Sequence, residues 1–171
     1  NLTLKKLLEL NATRGLITAA TSELDVEIEE IVMQLILQHK ITEDDLKKIV
    51  THKAHIPLQK RLESFWDKYI DFQSYFPKID AVKKWEIFRN LLKPLKAQQG
   101  IKSFLDSNKT YQSQVIDIRN KFAHAKAIED KGVLKLKGQI EGQDFEFTEE
   151  SCVEIRRNLI NHKRNIETLK N

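Results

Sequence analysis

Along the first third of the chain, Leu16, Ile17, Ala20, Leu24, Ile28, Ile31, Val32, Leu35 and Ile36 fall three or four positions apart. That spacing puts them on one side of a long amphipathic helix. The opening LTLKKLLEL, with Leu4, Leu7 and Leu8, precedes it across a polar gap, and Gly15 is expected to interrupt the helix near its start. ITEDDLKKIV reads as a short second helix capped by Thr42, with Asp45 three residues on. Pro57 suits the first turn of a third helix through LQKRLESFWDKYIDFQ, whose Leu58, Leu62, Phe65, Trp66, Tyr69, Ile70 and Phe72 supply an aromatic core. A turn near Pro77 leads to AVKKWEIFRNLL, where Val82, Trp85, Phe88, Leu91 and Leu92 repeat with helical period until Pro94 limits it. After a flexible stretch around Gly100, another helix is predicted over 107–127, burying Val115, Ile118, Phe122 and Ala125.

The period changes after Asp130. In KGVLKLKGQIEGQDFEFTEE, Val133, Lys135 and Lys137 alternate with Leu134 and Leu136, and Phe145 and Phe147 alternate in the next run. This predicts a β-hairpin at 131–148 that turns between Gly138 and Gly142. Thr148 then caps a last helix with Glu149 and Glu150 in its first turn and Cys152, Ile155, Leu159, Ile166 and Leu169 at core spacing. The expected fold is all-α: an up-and-down helical bundle with a small β-hairpin before the last helix, in a single domain over 1–171. Only 5 Gly and 3 Pro in 171 residues agree with long helices rather than a turn-rich sheet.

Charge narrows the picture little. The net charge of +4 tolerates a polyanionic partner without demanding one. The dense acidic side Glu23, Glu27 and Glu30 reads as solvated or salt-bridged rather than as paired catalytic acids. Cys152 is the only cysteine, so neither an internal disulfide nor a multi-cysteine zinc cluster is available, and a cytoplasmic location is expected. The apolar runs are far shorter than the roughly 20 residues that span a bilayer, so no membrane partner is expected. His52 and His55 have the spacing of two metal ligands but no local third or fourth, and read as a surface linker. No metal or other cofactor is predicted.

The chemistry concentrates in IDIRNKFAHAKA, residues 116–127, where Arg119, Asn120 and His124 add polar groups that helix packing does not require. Asn120 and His124 lie one turn apart, whereas Arg119 is separated from His124 by roughly 140° around the helix and about 7.5 Å along it. Two such helices meeting about a twofold axis would bring both arginines and both histidines to one groove, so a homodimer is the expected unit. An imidazole can move the proton of an attacking ribose 2′-hydroxyl, and a guanidinium fork matches phosphate oxygens. With RNA as substrate, Lys121 and Lys126 would lie near the reacting phosphate, and Lys135 and Lys137 would clamp the strand from the hairpin. The spacing by itself is weakly specific: IRRNLINHKRN repeats it with Arg157, Asn158 and His162, where Asn161, His162, Lys163 and Arg164 read as a solvated basic helix end.

The IRNKFAHAK segment resembles the RNxxxH signature of the HEPN superfamily, and the flanking helices extend the resemblance across most of the chain. RGLITAATSELDVEIEEIV together with DIRNKFAH is similar to the mannitol-operon-repressor-like branch; the segment between the third and fourth helices and the KLKGQIEGQDFEF hairpin depart from it. The resemblance implies a HEPN-type helical fold, a homodimer, and a metal-independent endoribonuclease of toxin, antiphage-defence or stress systems. It places the family arginine on Arg119, the following polar residue on Asn120 and the histidine on His124. Implied partners are RNA and either an antitoxin or a fused sensor domain. Because some relatives bind without cleaving, a non-catalytic dimerisation or regulatory module is the alternative.

Overall fold

The computed structural model describes residues 2–51, 71–98 and 100–170, with side chains from Leu4 onward. The chain is an all-α helical bundle with a small three-stranded antiparallel sheet before its last helix. The described helices are α1 (Leu2–His39), α2 (Glu43–Thr51), α3 (Phe72–Tyr75), α4 (Ala81–Leu92), α5 (Ile101–Ser107), α6 (Asp117–His124) and α7 (Glu149–Glu167). The strands are β1 (Lys126–Asp130), β2 (Val133–Ile140) and β3 (Gln143–Phe147). The predicted third helix from Pro57 falls mostly on 52–70, outside the described residues, as do Trp66, His52 and His55.

Two compact units share α1: one comprises residues 1–24 and 108–167, the other 25–107 and 168–171. Contrary to the expected interruption, α1 is continuous for 38 residues. Its buried positions explain this. Leu10, Ile17, Leu24 and Ile31 recur every seven residues, as do Thr21, Ile28 and Leu35, and all are buried. A seven-residue stripe keeps one face inward for the whole length. Gly15 is exposed, off that stripe, with nothing near it, so it costs only the ordinary glycine penalty of about 1 kcal/mol.

In the first unit, α7 begins at the predicted cap. Thr148 Oγ1 accepts from the Ser151 N–H at 3.3 Å while Ser151 Oγ accepts from the Thr148 N–H at 2.8 Å, a reciprocal capping box. The helix expected over 107–127 is instead broken. α5 ends at Ser107, a turn follows, and the next helix begins at Tyr111 and stops at His124, where Ala125 (φ −76, ψ 142) turns the chain into a strand. The expected two-stranded hairpin is likewise a three-stranded sheet in the order β1-β2-β3, because KAIED joins it. Both connections are two-residue turns with positive φ, Lys131–Gly132 and Glu141–Gly142. That conformation suits the right-handed twist of hairpin strands and favours glycine in second place. Leu136 and Phe147, opposite each other in register, are buried under Phe122, whose ring stacks on Phe147 at 4.4 Å. Each large side chain so buried contributes about 2 kcal/mol.

The second unit is aromatic. Phe72 stacks on Phe76 at 5.1 Å, while Phe104 meets Trp85 at 6.5 Å and Phe88 at 5.7 Å, so Trp85 belongs to the core as expected. Asp80 caps α4 through the Lys83 N–H at 2.9 Å, and Thr42 caps α2 through the Asp45 N–H at 3.2 Å. Among these side chains lies Lys84, 5% exposed, whose ammonium meets Glu29 at 2.5 Å and Asp25 at 3.5 Å. Its removal takes a buried ammonium away from two carboxylates at the edge of an apolar region. Lys84→Ala is therefore expected to cost about 3 kcal/mol in urea unfolding; a loss below about 0.5 kcal/mol would show that these carboxylates draw nothing from the lysine.

Candidate functional site

The helix that carries the site starts with an irregular turn. Residues Gln112–Ile116 are π-helical, and the Asp117 N–H reaches back five residues to the Gln112 carbonyl. The wider turn rotates both Val115 and Ile116 inward, to 2% and 3% exposure, and leaves the expected core residue Ile118 half-exposed. Phe122 and Ala125 are buried as expected. The remaining positions face outward: Asn120 and His124 are exposed, Arg119 and Lys121 half-exposed. The exposed imidazole makes no hydrogen bond to the described residues.

The main chain at the end of α6 is held from two sides. Arg14 of α1 donates from Nη1 to the Ala125 carbonyl at 2.8 Å. On the other side, β2 comes so close that a Cβ on Gly138 would lie 2.8 Å from the His124 carbonyl oxygen and would overlap the Phe145 ring. Gly138 and Phe145 are direct cross-strand partners, and the ring covers the glycine. The His124 carbonyl is backbone and cannot rotate away. Gly138→Ala is thus expected to cost about 2 kcal/mol by overpacking and to shift the His124 amide resonance; unaltered stability would mean that the helix end has room to retreat.

Arg14 escaped the sequence reading because its contact crosses 111 residues of chain and no spacing announces it.

Three of the four lysines predicted to touch RNA share one face of the sheet. Lys126 is directly opposite Lys137, which is directly opposite Glu146. Lys137 meets Asp130 at 3.1 Å and Glu146 at 3.5 Å; Lys135 meets Glu146 at 3.3 Å and Asp130 at 4.0 Å. The hydrogen bond to Asp130, with smaller help from Glu146, raises the Lys137 pKa above its ordinary value. Lys135 and Lys137 thus stand within a carboxylate network, whereas Lys126 is exposed beside His124. Lys121 sits apart from this row, on α6.

The second RNxxxH match has a different fate. His162 is 3% exposed rather than solvated, which corrects the sequence reading. Its Nδ1 lies 2.7 Å from the Asn108 carboxamide and its Nε2 lies 2.9 Å from Gln114 Oε1, which also accepts from the Thr110 hydroxyl at 2.9 Å. Burial lowers its pKa below 6.5. Both ring nitrogens face amide oxygens, Asn108 Oδ1 and Gln114 Oε1, and a neutral ring donates its single N–H to one of them. Because Gln114 belongs to the π-helical turn, His162 fastens α7 to the irregular start of the site helix. The sequence misleads here because the neighbouring Asn161, Lys163 and Arg164 give His162 the look of a solvated basic helix end.

No family model, curated protein or solved structure matches this chain. Among the described residues, no cluster of three His, Cys, Asp or Glu side chains could hold a metal ion, and no helix is long and apolar enough to cross a membrane. The acidic side of α1 is salt-bridged in part, Glu23 to Lys163 at 3.3 Å and Glu30 to Lys170 at 3.1 Å.

Proposed function

We propose that this chain is an endoribonuclease of the HEPN type, acting as a homodimer through Arg119, Asn120 and His124. One observation carries the reading: of two RNxxxH matches, one buries its histidine in a hydrogen-bonded core and the other presents its histidine to solvent. The packing of this helix is accounted for by Val115, Ile116, Phe122 and Ala125, and Asn120 and His124 stand exposed outside it. In the proposed reaction, the imidazole of one protomer removes the proton of a ribose 2′-hydroxyl. The 2′-oxygen bonds to phosphorus, the bond from phosphorus to the 5′-oxygen breaks, and the partner's His124 returns a proton to that oxygen. Arg119 takes the charge that grows on the phosphate, and Asn120 orients it. The products are a 2′,3′-cyclic phosphate and a 5′-hydroxyl.

The pairing of Lys135 and Lys137 with Asp130 and Glu146 favours a second reading, a non-catalytic dimerisation or regulatory module, since it blunts the expected RNA clamp. The two are separated by incubating purified protein with diverse RNAs in a chelator while measuring its mass in solution. Cleavage by a dimer supports the first reading; a dimer that cuts none of them supports the second. The toxin, defence or stress setting, with its antitoxin or fused sensor, belongs to the first reading.

A further inference from the structure

Arg14 lies outside the RNxxxH match, yet its guanidinium meets the main chain one residue past His124. A guanidinium carries five N–H groups in a planar fork. One of them, on Nη1, is spent on the Ala125 carbonyl, and the rest meet no acceptor among the described residues. The side chain is only half-buried, so those donors are open to an incoming anion.

The fork is also held in place. Its carbonyl partner belongs to Ala125, 2% exposed at the turn from helix to strand, and the neighbouring His124 peptide is pressed by β2 at Gly138. Arg119, by contrast, leaves the same helix as His124 roughly 140° away around the axis and about 7.5 Å back along it. A partner protomer is needed to bring Arg119 and His124 to one phosphate. Arg14 needs none, because within one protomer it is attached to the main chain one residue past His124.

We propose that Arg14 is a phosphate-binding residue of this site, offering its unused N–H groups to a non-bridging oxygen of the phosphodiester on which the same protomer's His124 acts. The proposal rests on the ribonuclease reading for its substrate, but its test does not require cleavage. A fixed guanidinium beside the reacting histidine adds a charge-assisted hydrogen bond and releases one counterion when the strand binds.

The probe is a 2′-O-methyl oligoribonucleotide, which has no free nucleophile, bound to wild type, Arg14→Gln and Arg14→Lys over a salt series. Arg14→Gln is expected to weaken binding about 10-fold and to reduce the salt slope by about one charge, while Arg14→Lys keeps the slope. If Arg14 merely clamps the helix end, Arg14→Gln lowers stability and leaves affinity and slope unchanged, which overturns the proposal. In the wild type, the Arg14 Nε–H resonance should move as the oligonucleotide is added; a resonance that stays put overturns the proposal even where Arg14→Gln does not fold. Failure of the wild type to bind also overturns it. A wild type that binds with an Arg14-dependent slope yet cuts no RNA retains this proposal and removes the ribonuclease reading.

Discussion

Arg119→Ala and His124→Ala are each expected to lower RNA cleavage by about 100-fold or more while leaving the fold unchanged. The expectation of intact folding comes from their positions: His124 is exposed, Arg119 is half-exposed, and the buried side of α6 belongs to other residues. Circular dichroism and solution mass of the variants check this. The two losses differ in kind. Removing the imidazole takes away proton transfer, so His124→Ala should lower kcat and keep KM near that of the wild type. Removing the guanidinium takes away a charge that holds the bound phosphate as well as the charge added with its fifth oxygen, so Arg119→Ala should lower kcat and also raise KM. Full activity in either folded variant would remove that residue from the chemistry.

His162→Ala should produce the largest loss of stability, on the order of 4 kcal/mol in urea unfolding. It strips the carboxamides of Asn108 and Gln114 of a buried partner and opens a cavity beneath Tyr111, whose ring meets the imidazole edge-on at 5.3 Å. The same group gives stability a pH dependence with a definite sign. Burial lowers the folded pKa, so the unfolded chain binds a proton that the folded chain refuses. The contribution is complete above the ordinary imidazole value of 6.5 and is lost as pH falls from there through the lower folded value. Wild type should therefore lose stability on acidification across that interval, and His162→Gln, which cannot titrate, should lose less. Parallel curves for the two proteins would mean that the folded core accepts the charged ring.

The elements that repeat in sequence were legible there. The buried stripe of α1 apart from Leu16, which is exposed, the caps at Thr42 and Thr148, the core position of Trp85 and the strand alternation of β2 and β3 all follow from local spacing. Features set by distant partners were not. KAIED becomes a strand because β2 pairs with it, not because its own pattern demands it. The π-helical turn adds one residue to a helical period, so counting by 3.6 placed Ile118 where Ile116 lies. His162 and Lys84 look like surface residues in sequence; each is buried by partners 48 to 59 positions away. For the candidate site, residue types and order were legible, whereas the burial that separates His124 from His162, and the approach of Arg14, depend on the fold.

The decisive measurement uses a single RNA whose scissile position has been mapped with wild-type protein in the presence of a chelator, compared with the same RNA carrying one 2′-deoxy sugar just 5′ to that bond. If the ribose oxygen is the nucleophile and His124 its base, the all-ribose strand yields a 2′,3′-cyclic phosphate and the deoxy strand stays intact at that bond. Scission of the deoxy strand at the same bond, or no scission of the all-ribose strand anywhere, would contradict the assignment of RNA cleavage to the exposed end of this helix.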